Sequence, residues 1–105
     1  MTPPMDELTI PLSEITDGGC VRKTIGSREV AIFRKGEEVY AIDATCPHRR
    51  GPLDGGELED GYIVVCPWHG WRFDIRTGKS PTDPGQVLCH HAAVEGADVR
   101  VKVNR

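Results

Sequence analysis

Residues 46–74 read CPHRRGPLDGGELEDGYIVVCPWHGWRFD. This stretch holds two short arms, Cys46-Pro47-His48 and Cys66-Pro67-Trp68-His69, with seventeen residues between His48 and Cys66. Each arm carries one thiol and one imidazole in a loop that follows an expected strand, where a side chain can be held rigidly and still face outward. Between and beyond the arms, Tyr62–Val65 and Arg72–Ile75 read as strands, the second closed by Arg76-Thr77-Gly78-Lys79. Upstream, strands are expected over 7–12, Cys20–Ile25, Glu29–Arg34 and Glu38–Asp43. Gly18-Gly19 makes a turn, and Lys35-Gly36 sits where a hairpin would bend. Downstream, Val87–Glu95 reads as a strand, and Val99, Val101 and Val103 alternate with Arg100 and Lys102, a half-buried pattern. No segment keeps a 3.6-residue apolar period. Ser13–Asp17 has room for one helical turn with Ser13 as its cap. The expectation is an all-β domain, a small barrel or sandwich of about seven to ten short strands.

The chain's 105 residues leave room for one domain, residues 1–105, and not for two independent cores. Hydrophobic residues make up 38% and charged residues 28%, a globular balance rather than a disordered one. Lys and Arg total 13 against 16 Asp and Glu, so the net charge of −3 argues against nucleic acid as a partner. The longest aliphatic run, Ile63-Val64-Val65-Cys66, is far short of a membrane span. The first seventeen residues hold Asp6, Glu7, Glu14 and Asp17 and no Lys or Arg, so a secretory signal is not expected. A cytoplasmic location follows as an expectation, and with it reduced thiols.

Three readings of the arms stand side by side. The Cys and His residues are incidental; or they hold a structural zinc; or they hold a cluster of two irons with two kinds of ligand. Two matched pairs in so short a chain argue against coincidence. Zinc usually takes Cys paired with Cys and His paired with His at set spacings, whereas these pairs are mixed and the first has one residue between its members. In a Rieske 2Fe-2S centre two His replace two Cys on one iron, and a mixed pair from each loop suits that chemistry.

Cys46-Pro-His48-Arg-Arg-Gly-Pro52-Leu53 and Cys66-Pro-Trp-His69-Gly70-Trp71-Arg-Phe73-Asp74, with Gly78 beyond them, resemble the Rieske family closely. The length is similar to that of a stand-alone Rieske-type ferredoxin. The resemblance implies a small Rieske-like antiparallel β-sandwich or barrel with a cluster-binding loop subdomain at about 44–86. It implies Cys46 and Cys66 on the inner iron and His48 and His69 on the outer one, nearer solvent. It also implies that Arg49, Gly51, Trp68, Gly70, Trp71, Phe73 and Pro84 surround the cluster. Pro84 belongs to Pro81-Thr-Asp-Pro84-Gly85, which matches a covering loop of the family and reads equally as a plain surface turn. High-potential members have a loop disulfide and Ser and Tyr hydroxyls near the sulfurs. Here Gly51, Trp68, Trp71 and Phe73 stand at the matching positions, which implies a potential at the low end of the family range of about −150 to +300 mV.

The function so implied is electron transfer. The protein would carry single electrons from a flavin-dependent NAD(P)H reductase to a terminal non-haem iron oxygenase of the aromatic-ring dioxygenase type, as a monomer. The alternative from the same resemblance is a small subunit of an NAD(P)H nitrite reductase. A zinc-stapled module is the reading from outside the family. Asp54, Glu57, Glu59 and Asp60 read as a solvated loop or as part of a docking rim with Arg49 and Arg50. Cys20 and Cys89 fall in expected strands and read as buried apolar residues. A disulfide between them is a second option. Cys89, His90 and His91 alternate across a strand and so should not converge on a metal.

Overall fold

The computed structural model describes residues 7–45, 52–53, 57–59, 61–67, 70–81 and 86–103. Nine strands lie in it: β1 Glu7–Pro11, β2 Cys20–Ile25, β3 Arg28–Lys35, β4 Glu38–Asp43, β5 Glu57–Glu59, β6 Ile63–Val65, β7 Arg72–Asp74, β8 Cys89–Glu95 and β9 Asp98–Lys102. All pairings are antiparallel. The larger sheet runs β1-β9-β8-β4-β3-β2 and the smaller β5-β6-β7. The expected all-β class is what the chain adopts. Among the described residues no helix is long and apolar enough to cross a membrane.

The larger sheet rolls on itself. Its edge strands supply Ile10 and Ile25 to one core cluster, together with Ile15, Val30, Ile32, Val39, Ala41, Val99, Val101 and Val103. Strands that lie at opposite ends of the order can share a cluster only if the sheet curls into a near-barrel. On the outer side of β3 and β4 lies a second cluster. There Ala31, Phe33 and Ile42 meet Ala44, Leu53, Val64, Cys66, Phe73, Ile75 and Val87. The smaller sheet is thus packed as a second layer. β3 is covered on both faces, which is why Val30-Ala31-Ile32-Phe33 is an unbroken apolar run rather than an alternating one.

The hairpin between β3 and β4 turns through Gly36 at φ +64°, with Lys35 opposite Glu38, as the Lys-Gly pair suggested. Three expectations need correction. The turn after β1 is a 3-10 turn over Leu12–Glu14, and Pro11, not Ser13, stands at its cap, with no side-chain hydrogen bond. Pro11 already has the extended φ of a cap, so the turn starts early and Ser13 lies inside it. Glu57–Glu59 is not simply a loop: it forms edge strand β5, with Leu58 packed on the second core. Cys20 and Cys89 lie in strands as expected and are not joined in a disulfide, but both are only half-buried. Strands β3 and β4 separate β2 from β8, so the two cysteines lie about 14 Å apart at strand spacing. That is beyond the reach of a disulfide.

Candidate metal centre

Backbone hydrogen bonds tie the chain at three necks beside the second core. The first neck flanks residues 46–51. Thr45 and Pro52 bridge across its base, and the Leu53 N–H donates to the Ala44 carbonyl at 2.7 Å. The second runs from Cys66 to Trp71. Here the Cys66 N–H donates to the Trp71 carbonyl at 2.7 Å, and the Gly70 N–H to the Cys66 carbonyl at 3.0 Å. Gly70 has φ +73°, a left-handed conformation that favours glycine, and among the described residues no atom lies within 4 Å of where a Cβ would sit.

The third segment follows β7. The Asp74 N–H donates to the Lys79 carbonyl at 2.8 Å and the Val87 N–H to the Gly78 carbonyl at 2.7 Å, while Lys79 and Gln86 bridge beyond. Gly78 has φ +79°, and a Cβ there would sit 2.2 Å from the Val87 carbonyl oxygen. Here glycine is required for both reasons.

The necks converge on one apolar layer. Ala44 and Leu53 from the first, Cys66 from the second and Val87 from the third belong to the same cluster as Phe73 and Ile75. Cys66 is a free thiol, 1% exposed, at the end of β6. A thiol held rigidly at the point where two loops share a core is a donor placed for a soft metal group. The structure therefore fits a thiolate-held iron centre at Cys66. Of the other expected site residues, Gly70 is the glycine of the Cys66–Trp71 turn. Trp71 is half-buried and Phe73 fully buried, their rings 6.3 Å apart and tilted by 37°. Neither side chain carries a hydroxyl. Cys46, His48, Arg49, Gly51, Trp68, His69 and Pro84 lie outside the described residues, as do Arg50, Asp54 and Asp60.

Behind this layer is a polar clamp with no motif to announce it. Tyr40 and Tyr62 meet edge to face at 5.7 Å, and both hydroxyls donate to Glu38 Oε1, at 2.8 and 3.3 Å. The bond to Glu38 pushes the Tyr40 phenol up to about 12. Lys35 and Arg76 lie over the Tyr62 ring at 4.9 and 4.2 Å. The clamp joins the β3–β4 hairpin to the smaller sheet. Arg76 also donates to both oxygens of Asp74, and this bonding holds the Asp74 carboxyl below its ordinary value. Burial raises the Cys89 thiol, with Asp74 adding to the effect, so it is a weaker nucleophile than an exposed cysteine. On β8, His90 is buried and His91 exposed, so Cys89-His90-His91 does not converge. Among the described residues no three His, Cys, Asp or Glu side chains are grouped to hold a metal.

Comparison with known proteins supplies the family context. The family model described as Rieske [2Fe-2S] domain matches residues 8–93. The 3-phenylpropionate/cinnamic acid dioxygenase ferredoxin subunit of Shigella boydii is 34% identical over 93 residues, covering 85% of each chain. A chain in the solved complex of reduced oxygenase and oxidized ferredoxin in carbazole 1,9a-dioxygenase is 28% identical. It superposes with a TM-score of 0.83 over 93% of this chain and 94% of that one. A structure described as a nitrite reductase small subunit from Mycobacterium tuberculosis superposes with a TM-score of 0.86. It covers 94% of this chain and 96% of that one at 21% identity, a likeness of fold alone.

Proposed function

The chain belongs to the Rieske [2Fe-2S] domain family, and on that premise we propose that it is the ferredoxin of a dioxygenase-type system. In this reading it takes single electrons from a flavin-dependent NAD(P)H reductase and passes them to a terminal non-haem iron oxygenase. The observation that carries the reading is the 34% identity to a dioxygenase ferredoxin subunit over nearly the full length of both chains. The nitrite reductase alternative has only a shared fold behind it.

Cys46 and Cys66 hold the inner iron in this proposal, and His48 and His69 the outer one. Residues 44–86 form the cluster-binding part of a single domain. When bound, a centre of this kind supplies a one-electron couple in the range of about −150 to +300 mV. The chain's own residues set where in that range it falls. The buried position of Cys66, tied through its N–H to Trp71, keeps water from the inner side. Trp71 and Phe73 offer no hydroxyl to the sulfurs, and fewer hydrogen bonds leave their charge less stabilised. The backbone ties at 44–45/52–53, 66/71 and 78/87 fix the residues that flank the loops. Docking to each redox partner is brief and polar, as suits a carrier that must leave again. We take the protein to act as a monomer in the cytoplasm.

Spectroelectrochemical titration tests the reading. A midpoint in the lower half of the family range is expected, and one above about +100 mV would contradict the argument from Trp71 and Phe73.

A further inference from the structure

Tyr62 immediately precedes β6 and Cys66 immediately follows it, so the two stand about 13 Å apart at strand spacing. Between them β6 pairs on one side with β5 and on the other with β7. The Tyr62 carbonyl also accepts from the Ile75 N–H at 2.9 Å. A shift at Tyr62 is therefore carried along a doubly paired strand to Cys66.

The three strands of the smaller sheet are three residues long each, and ladders that short do not hold a sheet in place. Its apolar face rests on the outer side of β3 and β4 through Leu58, Val64 and Phe73. Apolar burial is non-directional, so by itself it does not choose one placement of the sheet on that face. Directional contacts converge on Tyr62. Its hydroxyl donates to Glu38 Oε1 at 3.3 Å, the oxygen that also accepts from Tyr40. Its ring meets the Tyr40 ring edge to face, and Lys35 and Arg76 lie over it. Lys35, Glu38 and Tyr40 belong to the β3–β4 hairpin of the larger sheet. Arg76 follows β7 and is itself held by both oxygens of Asp74. Gly61 leaves room for the arrangement, since a Cβ there would lie 2.7 Å from the Lys35 ammonium and displace it. A phenylalanine would fill the same space as Tyr62. What the hydroxyl adds is a bond from one layer to the other.

We propose that Tyr62 is a positioning residue: anchored to the β3–β4 hairpin, it sets where β6 lies on the larger sheet and so where the Cys66 thiol stands. The inference rests on the ligand assignment proposed above for Cys66, but its test separates the two. Amide exchange of the cluster-loaded protein is read by mass spectrometry over 61–67 and 72–79, each normalised to 98–103. In Tyr62→Leu, which loses the hydroxyl bond and the ring contacts together, both ratios rise about tenfold. The midpoint potential rises too, because water that reaches the Cys66 sulfur stabilises the added negative charge. Tyr62→Phe keeps the ring between its partners and loses one bond, so its ratios rise about threefold and its potential returns toward the parent. A lowered melting temperature with parent-like ratios and potential would show a clamp that adds stability and positions nothing, and would overturn the proposal. Raised ratios with a parent-like potential would overturn it as well. Should the leucine variant not fold, Glu38→Gln decides by the same two readouts, since it keeps the volume and removes the charge that the Tyr62 hydroxyl meets. A parent protein without a mixed Cys/His cluster signal would refute the ligand assignment instead. The exchange ratios would still decide whether Tyr62 anchors β6.

Discussion

Replacing Gly78 by alanine strikes the third loop at its neck. The backbone there has φ +79°, a left-handed conformation that costs a residue with a side chain about 1–2 kcal/mol. The new Cβ would lie 2.2 Å from the Val87 carbonyl oxygen and 3.2 Å from its carbon. Both atoms are backbone, so no side chain can rotate away and the Val87 segment must move. That movement breaks the Val87–Gly78 hydrogen bond of 2.7 Å, worth about 1 kcal/mol. It also draws the Val87 side chain, now 7% exposed, partly out of the core, for about another 1 kcal/mol. The sum is about 3–4 kcal/mol, which for a domain of this size is a fall of roughly 15–25 °C in Tm. Gly36→Ala is the matched control. Its φ of +64° carries the same conformational cost, but among the described residues nothing lies within 4 Å of the added Cβ. Its loss should be about 1–2 kcal/mol, or roughly 5–12 °C. Thermal unfolding of the two variants beside the parent, followed by far-ultraviolet circular dichroism, reads the difference. Equal losses in the two variants would refute the close approach of Gly78 to Val87.

Three further outcomes are expected. Arg76 lowers the Asp74 carboxyl, so the stability this pair contributes is present above the ordinary Asp value of 3.8 and is lost as pH falls through the lower folded value. Urea unfolding against pH should accordingly show a shallower acid limb in Arg76→Ala than in the parent, and superimposable limbs would count against the pair. Alkaline titration of tyrosinate absorbance should show one phenol ionising at about 12. In Glu38→Gln that step should move down toward the ordinary value of 10.0, because the charged acceptor is gone; an unmoved step would mean that Glu38 is not its cause. Finally, His69→Cys should retain a 2Fe-2S cluster at a lower potential, since thiolate is the more electron-rich ligand. An unchanged or higher potential would exclude His69 as an iron ligand.

Much of the fold could be read from residue patterns alone. Cys20–Ile25 and Glu38–Asp43 are strands over the residues expected, because turns bound them. Strand β5 escaped notice because Leu58 is its one apolar residue between two acids, too little for a period. The two arms were legible because their ligand types and spacing carry the chemistry. The ties that close the loops were not. They run between backbone groups, Ala44 with Leu53 and Gly78 with Val87, and backbone bonds leave no mark on side-chain identity. Asp43 and His90 are 47 positions apart, and only the β4–β8 pairing brings them together. The clamp around Tyr62 likewise draws on Lys35, Glu38, Tyr40 and Arg76 from three elements, which no local window contains.

The ligand assignment at Cys46, His48, Cys66 and His69 is the centre of the account. Low-temperature EPR of the dithionite-reduced protein, run beside iron and zinc analysis of the same sample, tests it most directly. The account predicts an anisotropic signal with an average g clearly below that of an all-cysteine 2Fe-2S ferredoxin, and about two irons per chain. A colourless, EPR-silent protein holding one zinc would contradict it.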